Sequence, residues 1–324
     1  MSRVAVIFTG GTISMRPDAD AGGAVPVLRG QDILDRTAGL QRIAQVEPID
    51  WGLVPASHLG FDQIIDLGRL LDSTLDAQDV DGAVVVQGTD TMEETAFAFD
   101  LLVRSDKPVV VTGAMRNSAE ADYDGPRNLR DAVRVASSPQ MRGLGTSVVM
   151  AGRIIAADRV VKRHTTALAS FGARAGRLLG RVVDDRVTIR GSRRRVRLPG
   201  VPASAAEPVF LVTAVTGLDG GIVRSLKTLS PRGLVVAATG SGNTHPDLLA
   251  AATELIATGA AVCLSTRCQA GRVVPAYAFA GGGAQWQRAG AILSPLDGPK
   301  CRVALALGLG AGATESELRR LLRG

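Results

Sequence analysis

The feature that most constrains this chain is a repeated alternation of short apolar runs ending in Gly or Thr with longer stretches of helical spacing. Val4–Phe8, Gly82–Gln87, Pro108–Thr112 and Gly145–Ala151 are short and almost uninterruptedly apolar, as strands buried on both faces must be. Between them, Asp62–Leu75, Thr91–Arg104 and Pro126–Ser137 are predicted helices. Thr91 and Glu94 have capping-box spacing, and Pro126 suits a first helical turn. Parallel strands need crossovers, and helices supply them, so the expectation is an α/β fold.

Beyond Gly172 the pattern shortens to β-like pieces, Val182–Val183 and Val187–Ile189, around the turn Asp184–Asp185. A Pro/Ala/Ser-rich stretch, Leu198–Pro208, has the character of a linker. Strand and helix then alternate again through Val209–Val215, Gly233–Ala237, His245–Thr258 and Ala260–Ser265, with a last helix at Thr314–Leu322. The predicted architecture is a larger N-terminal domain (1–198) with a mainly parallel sheet flanked by helices, a linker (199–208), and a smaller α/β domain (209–324).

Composition narrows the function. With 324 residues, 46% of them hydrophobic, the chain can bury a substantial core. Only 3% are aromatic, which leaves no stacking platform for single-stranded nucleic acid. The net charge of +6 comes almost wholly from arginine; Lys107, Lys162, Lys227 and Lys300 are the lysines. Arg190, Arg193, Arg194, Arg195 and Arg197 cluster, but they alternate with Val187, Ile189, Val196 and Leu198 as an exposed hairpin would, so the expectation is a solvated edge and no nucleic-acid partner. Cys263, Cys268 and Cys301 have no metal-ligand spacing and their odd number fits a reducing compartment. The opening MSRVAVIFTGG enters a strand without a leader, and no apolar run approaches the ~18 residues of a spanning helix, so a cytoplasmic location away from membranes is expected.

Two hydroxyl-rich turns fall at predicted strand ends. Thr9-Gly10-Gly11-Thr12 follows the first strand, and Gly88-Thr89-Asp90-Thr91 follows the next buried one. Open α/β sheets bind ligands at the carboxyl ends of their strands, and glycines let backbone approach a ligand closely. Taken alone, the first turn also suits plain geometry or phosphate binding, and Asp90 and Thr91 also suit helix capping. Lys162 lies in Val160-Val161-Lys162-Arg163-His164. An amine can lose its proton in a sheltered site and then act as a base, whereas a guanidinium cannot, although a surface lysine reads the same in sequence.

Thr9–Ile13 (TGGTI), Gly88–Ala96 (GTDTMEETA) and Thr112–Leu129 (TGAMRNSAEADYDGPRNL) resemble the bacterial L-asparaginase/glutaminase family, over nearly the whole chain. The resemblance implies that Thr12 is the nucleophile that forms an acyl-enzyme, and that Thr89, Asp90 and Lys162 form its proton-transfer group. It implies that Ser57 holds the substrate carboxylate, with His58 where relatives have glutamine, and that Gly240-Ser241-Gly242-Asn243 is a loop that reaches a neighbouring subunit's site. It further implies hydrolysis of L-asparagine to L-aspartate and ammonia, no cofactor or metal, and a homodimer or homotetramer.

The chain departs from that pattern in recognition more than in chemistry. Pro17–Val27 occupies the place of a mobile loop that carries a tyrosine in periplasmic relatives, and contains none, though its small residues suit a lid. Tyr277 falls where cytosolic-type relatives place a functional tyrosine, and Ala276–Ala284 lacks the acid that binds a substrate ammonium. A different small amide or cyclic imide, or a ligand-binding sensor that has lost turnover, therefore stand as alternatives. His164 and His245 belong to no metal-ligand constellation.

Overall fold

The computed structural model describes residues 1–323. It divides into two compact units, Met1–Arg195 and Val196–Gly324.

The first unit is built on an eight-stranded sheet. Five of its strands are parallel, in the spatial order Gln45–Asp50, Arg3–Phe8, Gly82–Val86, Val109–Thr112 and Thr146–Met150, the first of them at the sheet's edge. Arg153–Ala156, Gly180–Val183 and Arg186–Ile189 extend it antiparallel. Every residue of Gly82–Val86 and Val109–Thr112 is buried, which explains why these strands read as continuous apolar runs. The edge strand Gln45–Asp50 escapes a sequence reading because it is largely exposed and contains Pro48, which an edge tolerates.

In chain order the five parallel strands lie 2-1-3-4-5. The chain leaves Arg3–Phe8 to one side and returns to its other side at Gly82–Val86, which makes the gap beyond these two strands a topological switch point. The register aligns their ends, Phe8 with Val86 and Val86 with Thr112. Both hydroxyl-rich turns therefore leave the same sheet edge at the switch point.

The helices Phe61–Asp76, Met92–Leu102 and Gly125–Ala136 run within a residue or two of their predicted spans. Thr91 precedes the second as expected, but it makes no side-chain cap; its hydroxyl donates instead to the Ala56 carbonyl, 2.9 Å away.

The arginine cluster also corrects an expectation. Arg190 and Arg194 are exposed, whereas Arg193 and Arg195 keep side-chain exposures of 5% and 6%. Arg193 pairs with the buried Asp100, and Arg195 donates to the Asp100 and Ser105 carbonyls, 2.8 and 3.0 Å away, and to that of Val103. Two arginines thus close the carboxyl end of the helix Met92–Leu102, where orphan carbonyls and the helix dipole favour cations. Burial works against the Arg193 charge, yet Asp100 and Asp158 outweigh it and hold the guanidinium above its ordinary value.

The second unit carries a four-stranded parallel sheet, in the order Val209–Thr213, Gly233–Ala238, Ala261–Thr266, Ile292–Leu293. Its helix Gly298–Gly310 is hidden in sequence because its glycines mask it. Asp297 caps it by accepting from the Lys300 backbone N–H, and its apolar residues are buried nearly all round. Cys263 and Cys301 are buried, Cys268 is exposed, and none of the three forms a disulfide. Among the described residues no helix is long and apolar enough to cross a membrane.

Removing the carboxylate that Arg193 and Arg195 share takes the nearest negative charge from two buried guanidinium groups and leaves Asp158 beside Arg193. Asp100→Ala is expected to lower the unfolding free energy by about 3–5 kcal/mol. Urea titration checks this, and a loss below ~1 kcal/mol, the scale of an exposed ion pair, would show that water reaches the pair.

Candidate active site

The site begins with a close approach of two backbones. Gly11, at φ 92°, lies so near the second turn that a Cβ there would come 2.2 Å from the Gly88 nitrogen and 2.3 Å from its Cα. No other residue fits. Thr12 and Thr89 each follow one of these two touching glycines, so the fold brings the two threonines together.

Thr12 opens a single 3-10 turn, Thr12–Ser14, and is half-buried. Thr9 is fully buried, and its hydroxyl donates to the Val86 carbonyl at 3.2 Å, so it ties the first turn to the neighbouring strand. Among the described residues, the backbone N–H groups of Gly11, Thr12, Gly88 and Thr89 donate to no protein acceptor. Unpaired donors at a strand-end cleft are the groups that stabilise an oxyanion.

Lys162 comes from the short strand Val160–Lys162, and its Nζ lies 2.9 Å from both Thr89 Oγ1 and Asp90 Oδ1. Thr89 is buried, Asp90 is mostly exposed, and the Lys162 side chain is 17% exposed. One amine thus bridges a buried hydroxyl and a solvated carboxylate. Glu93, in the first turn of the helix Met92–Leu102, accepts the Lys162 backbone N–H and fixes the strand that delivers the lysine.

Ser57 and His58 sit exposed in the turn Ala56–His58. That turn is docked on the site from both sides: the Val54 N–H donates to the Thr9 carbonyl at 2.7 Å, and Thr91 holds Ala56. The helix cap that Thr91 forgoes is exchanged for this contact.

Sequence reasoning missed a clamp on the Thr12 turn. Tyr123 donates its hydroxyl to the Ile13 carbonyl at 2.8 Å, while Ser118 gives both its N–H and its hydroxyl to the Met15 carbonyl. Asp124 gathers the Met115 and Arg116 N–H groups, and Asn128 ties Asp124 to the Gly113 carbonyl. Burial pushes the Tyr123 phenol well above its ordinary value, with Arg36 opposing and Asp124 adding, so it remains a donor. The signal in sequence was that Ser118, Tyr123, Asp124 and Asn128 all lie in the Thr112–Leu129 segment that carries the family resemblance, in a chain with two tyrosines.

The stretch Pro17–Val27 forms most of an exposed hairpin, Met15–Asp18 paired with Gly23–Pro26, whose tip is held by Asp18 accepting from the Asp20 and Ala21 N–H groups. In the second unit Tyr277 is 48% exposed and its ring lies 5.6 Å from that of Phe279. Asn243 closes the turn that starts at Thr239, and its Oδ1 is buried without a hydrogen-bond partner among the described residues. His164 and His245 each accept backbone N–H groups beside them, and among the described residues no three His, Cys, Asp or Glu side chains gather as a metal site.

A parallel sheet with paired threonine turns at its switch point and a lysine–aspartate bridge define an α/β protein with hydroxyl, amine and carboxylate groups gathered at its strand ends. Residues 3–195 match the family model for the asparaginase N-terminal domain, and residues 208–322 match that for the glutaminase/asparaginase C-terminal domain. A probable L-asparaginase of Deinococcus radiodurans is 37% identical, covering 99% of this chain and 97% of its own. An L-asparaginase of Bacillus licheniformis is 30% identical over 94% of each chain. The crystal structure of a probable cytoplasmic L-asparaginase from Campylobacter jejuni superposes with a TM-score of 0.89 at 27% identity, over 99% of both chains. This chain belongs to the asparaginase family and is an asparaginase-type amidohydrolase.

The clamp is open to test. Tyr123→Phe keeps the ring and removes the donor to the Ile13 carbonyl, and is expected to cost about 1–2 kcal/mol of stability. Amide exchange should quicken at residues 12–15 before anywhere else in the first unit. Unchanged exchange there would mean that Ser118 alone holds the turn.

Proposed function

We propose that this protein hydrolyses the side-chain amide of L-asparagine to L-aspartate and ammonia in the cytoplasm, through an acyl-enzyme on Thr12. The observation that carries the reading is the Lys162 bridge to Thr89 and Asp90, beside the glycine contact that brings Thr12 to the same place.

A threonine hydroxyl is a weak nucleophile until its proton is taken up, and passing through an ester divides amide hydrolysis into two easier steps. In this reading Thr12 attacks the amide carbonyl as Lys162, acting through Thr89, takes up its proton and hands it to the departing nitrogen, which leaves as ammonia. The N–H groups of the two glycine turns take the oxyanion, each such donor being worth about 2.7–4 kcal/mol. Thr89 orients the water that hydrolyses the ester; Lys162 draws off its proton and returns it to the Thr12 oxygen as the ester bond breaks, with Asp90 holding the lysine in place.

Ser57 and His58 receive the substrate's carboxylate end, while Tyr277 and Asn243 keep the roles that the family resemblance gives them. The domain division expected from sequence, at 1–198, 199–208 and 209–324, belongs to this proposal, as does assembly into a homodimer or homotetramer. Support comes from relatives named as L-asparaginases that cover nearly the whole chain.

Ammonia release measured across L-asparagine, D-asparagine, L-glutamine and a succinimide-type ring tests the substrate. The expected order places L-asparagine first, and a preference for the ring would overturn that assignment while leaving the hydrolytic group in place. Thr12→Ala should abolish release yet still bind L-asparagine. Lys162→Met should slow acylation by roughly 10²–10⁴-fold with ligand affinity nearly unchanged, and normal turnover in that variant would sink the Lys162 role.

A further inference from the structure

The first unit has a second polar feature along the helix Gly125–Ala136. The helix Gly125–Ala136 starts beside Asp124, next to the Thr12 clamp. It ends where the Ala136 carbonyl would meet a Cβ on Gly82, the first residue of its strand. A cavity of about 550 Å³ opens there, lined by Ala38, Gly39, Arg42, Arg130, Arg134 and Asp185 among others. A second, of about 390 Å³, shares Arg130, Arg134 and Asp185 with it and adds Arg127 and Arg181.

The charges around these cavities do not cancel: Arg42, Arg127, Arg130, Arg134 and Arg181 stand against Asp131, Asp184 and Asp185. Arg134 meets Asp185 at 2.7 Å and Asp131 at 3.5 Å, and its Nη1 is buried without a hydrogen bond. Arg42, Arg127, Arg130 and Arg181 make no ion pair among the described residues, and the hydrogen bond found for this group is Arg130 to the Ala38 carbonyl at 3.2 Å. The helix dipole accounts for Arg134 in the last turn. It does not account for Arg127, which stands in the first turn where a cation is disfavoured, nor for Arg42 and Arg181, which come from other elements.

We infer that these joined cavities bind a small oligophosphate anion. Guanidinium groups supplied to the lining by the 3-10 turn Leu40–Arg42, the helix and the strand Gly180–Val183 suit a tetrahedral group that accepts from several directions, whereas a carboxylate takes one planar fork. The first cavity alone lies within the size range of small-molecule sites, roughly 300–1,000 Å³. Its walls carry no aromatic ring, so the phosphates and not a nucleobase are recognised. The helix joins this site to Asp124 and Tyr123, so an occupant bears on the segment that grips the Thr12 turn.

Calorimetric titration of the full chain with inorganic pyrophosphate, at constant ionic strength and against sulfate, tests the site. Saturable binding of one pyrophosphate per chain is expected, tighter than sulfate, and weakened at least tenfold in Arg42→Gln/Arg130→Gln. The single variant Arg42→Gln, an exposed position, should show an intermediate loss even if the double variant folds poorly. Arg319→Gln/Arg320→Gln, on the second unit, should bind as wild type. Equal affinity in all variants, or pyrophosphate no better than sulfate, would overturn the site as merely diffuse charge. A change of sedimentation mass in Arg42→Gln without a change in pyrophosphate affinity would overturn it too, and make this face a contact between copies.

Discussion

The site depends on two glycines that touch. Because Gly11 and Gly88 lack side chains, two strand-end turns that are far apart in sequence meet at backbone contact. The consequence is chemical as well as steric. Threonines that follow the glycines share a cleft, and N–H groups that would otherwise pair within a turn stay available to a ligand. A single methyl at Gly11 would drive the two threonine turns apart.

Everything around this contact works to hold it in register. The parallel sheet sets the ends of Arg3–Phe8 and Gly82–Val86 level, and the 2-1-3-4-5 order leaves open the gap into which both turns lead. Local rules then give way to the site. Thr91 is a helix N-cap that spends its hydroxyl on the Ser57 turn, and Glu93 uses its carboxylate on the backbone of Lys162. Such departures from local preference belong where function competes with stability.

Much of this was legible in sequence for physical reasons. Buried parallel strands betray themselves as apolar runs, and the motifs at their ends stood at Thr9–Thr12 and Gly88–Thr91. The edge strand Gln45–Asp50, half polar and holding Pro48, has no such signature, and the helix Gly298–Gly310 is disguised by its glycines. The clamp at Tyr123 and Ser118 was out of reach because it joins residues about a hundred positions apart through a backbone carbonyl, which leaves no pattern in spacing. The bridge at Lys162 was reachable only through resemblance, since a lysine held between a hydroxyl and a carboxylate and a surface lysine read alike.

Arginine is where sequence reasoning was most exposed to error, and the reason is general. A run of arginines alternating with apolar residues reads as a solvated edge, yet the guanidinium is the cation best suited to burial when carbonyls and a carboxylate converge on it. Arg193 and Arg195 find that arrangement at the end of the helix Met92–Leu102. Arg42, Arg127 and Arg181 do not, although the same fold supplies carboxylates nearby. Charge balance in this chain is therefore local: one arginine group is neutralised by the protein itself, and the other is left for an anion from solution. A net charge of +6 cannot distinguish the two groups; the convergence or absence of acceptors around each guanidinium does.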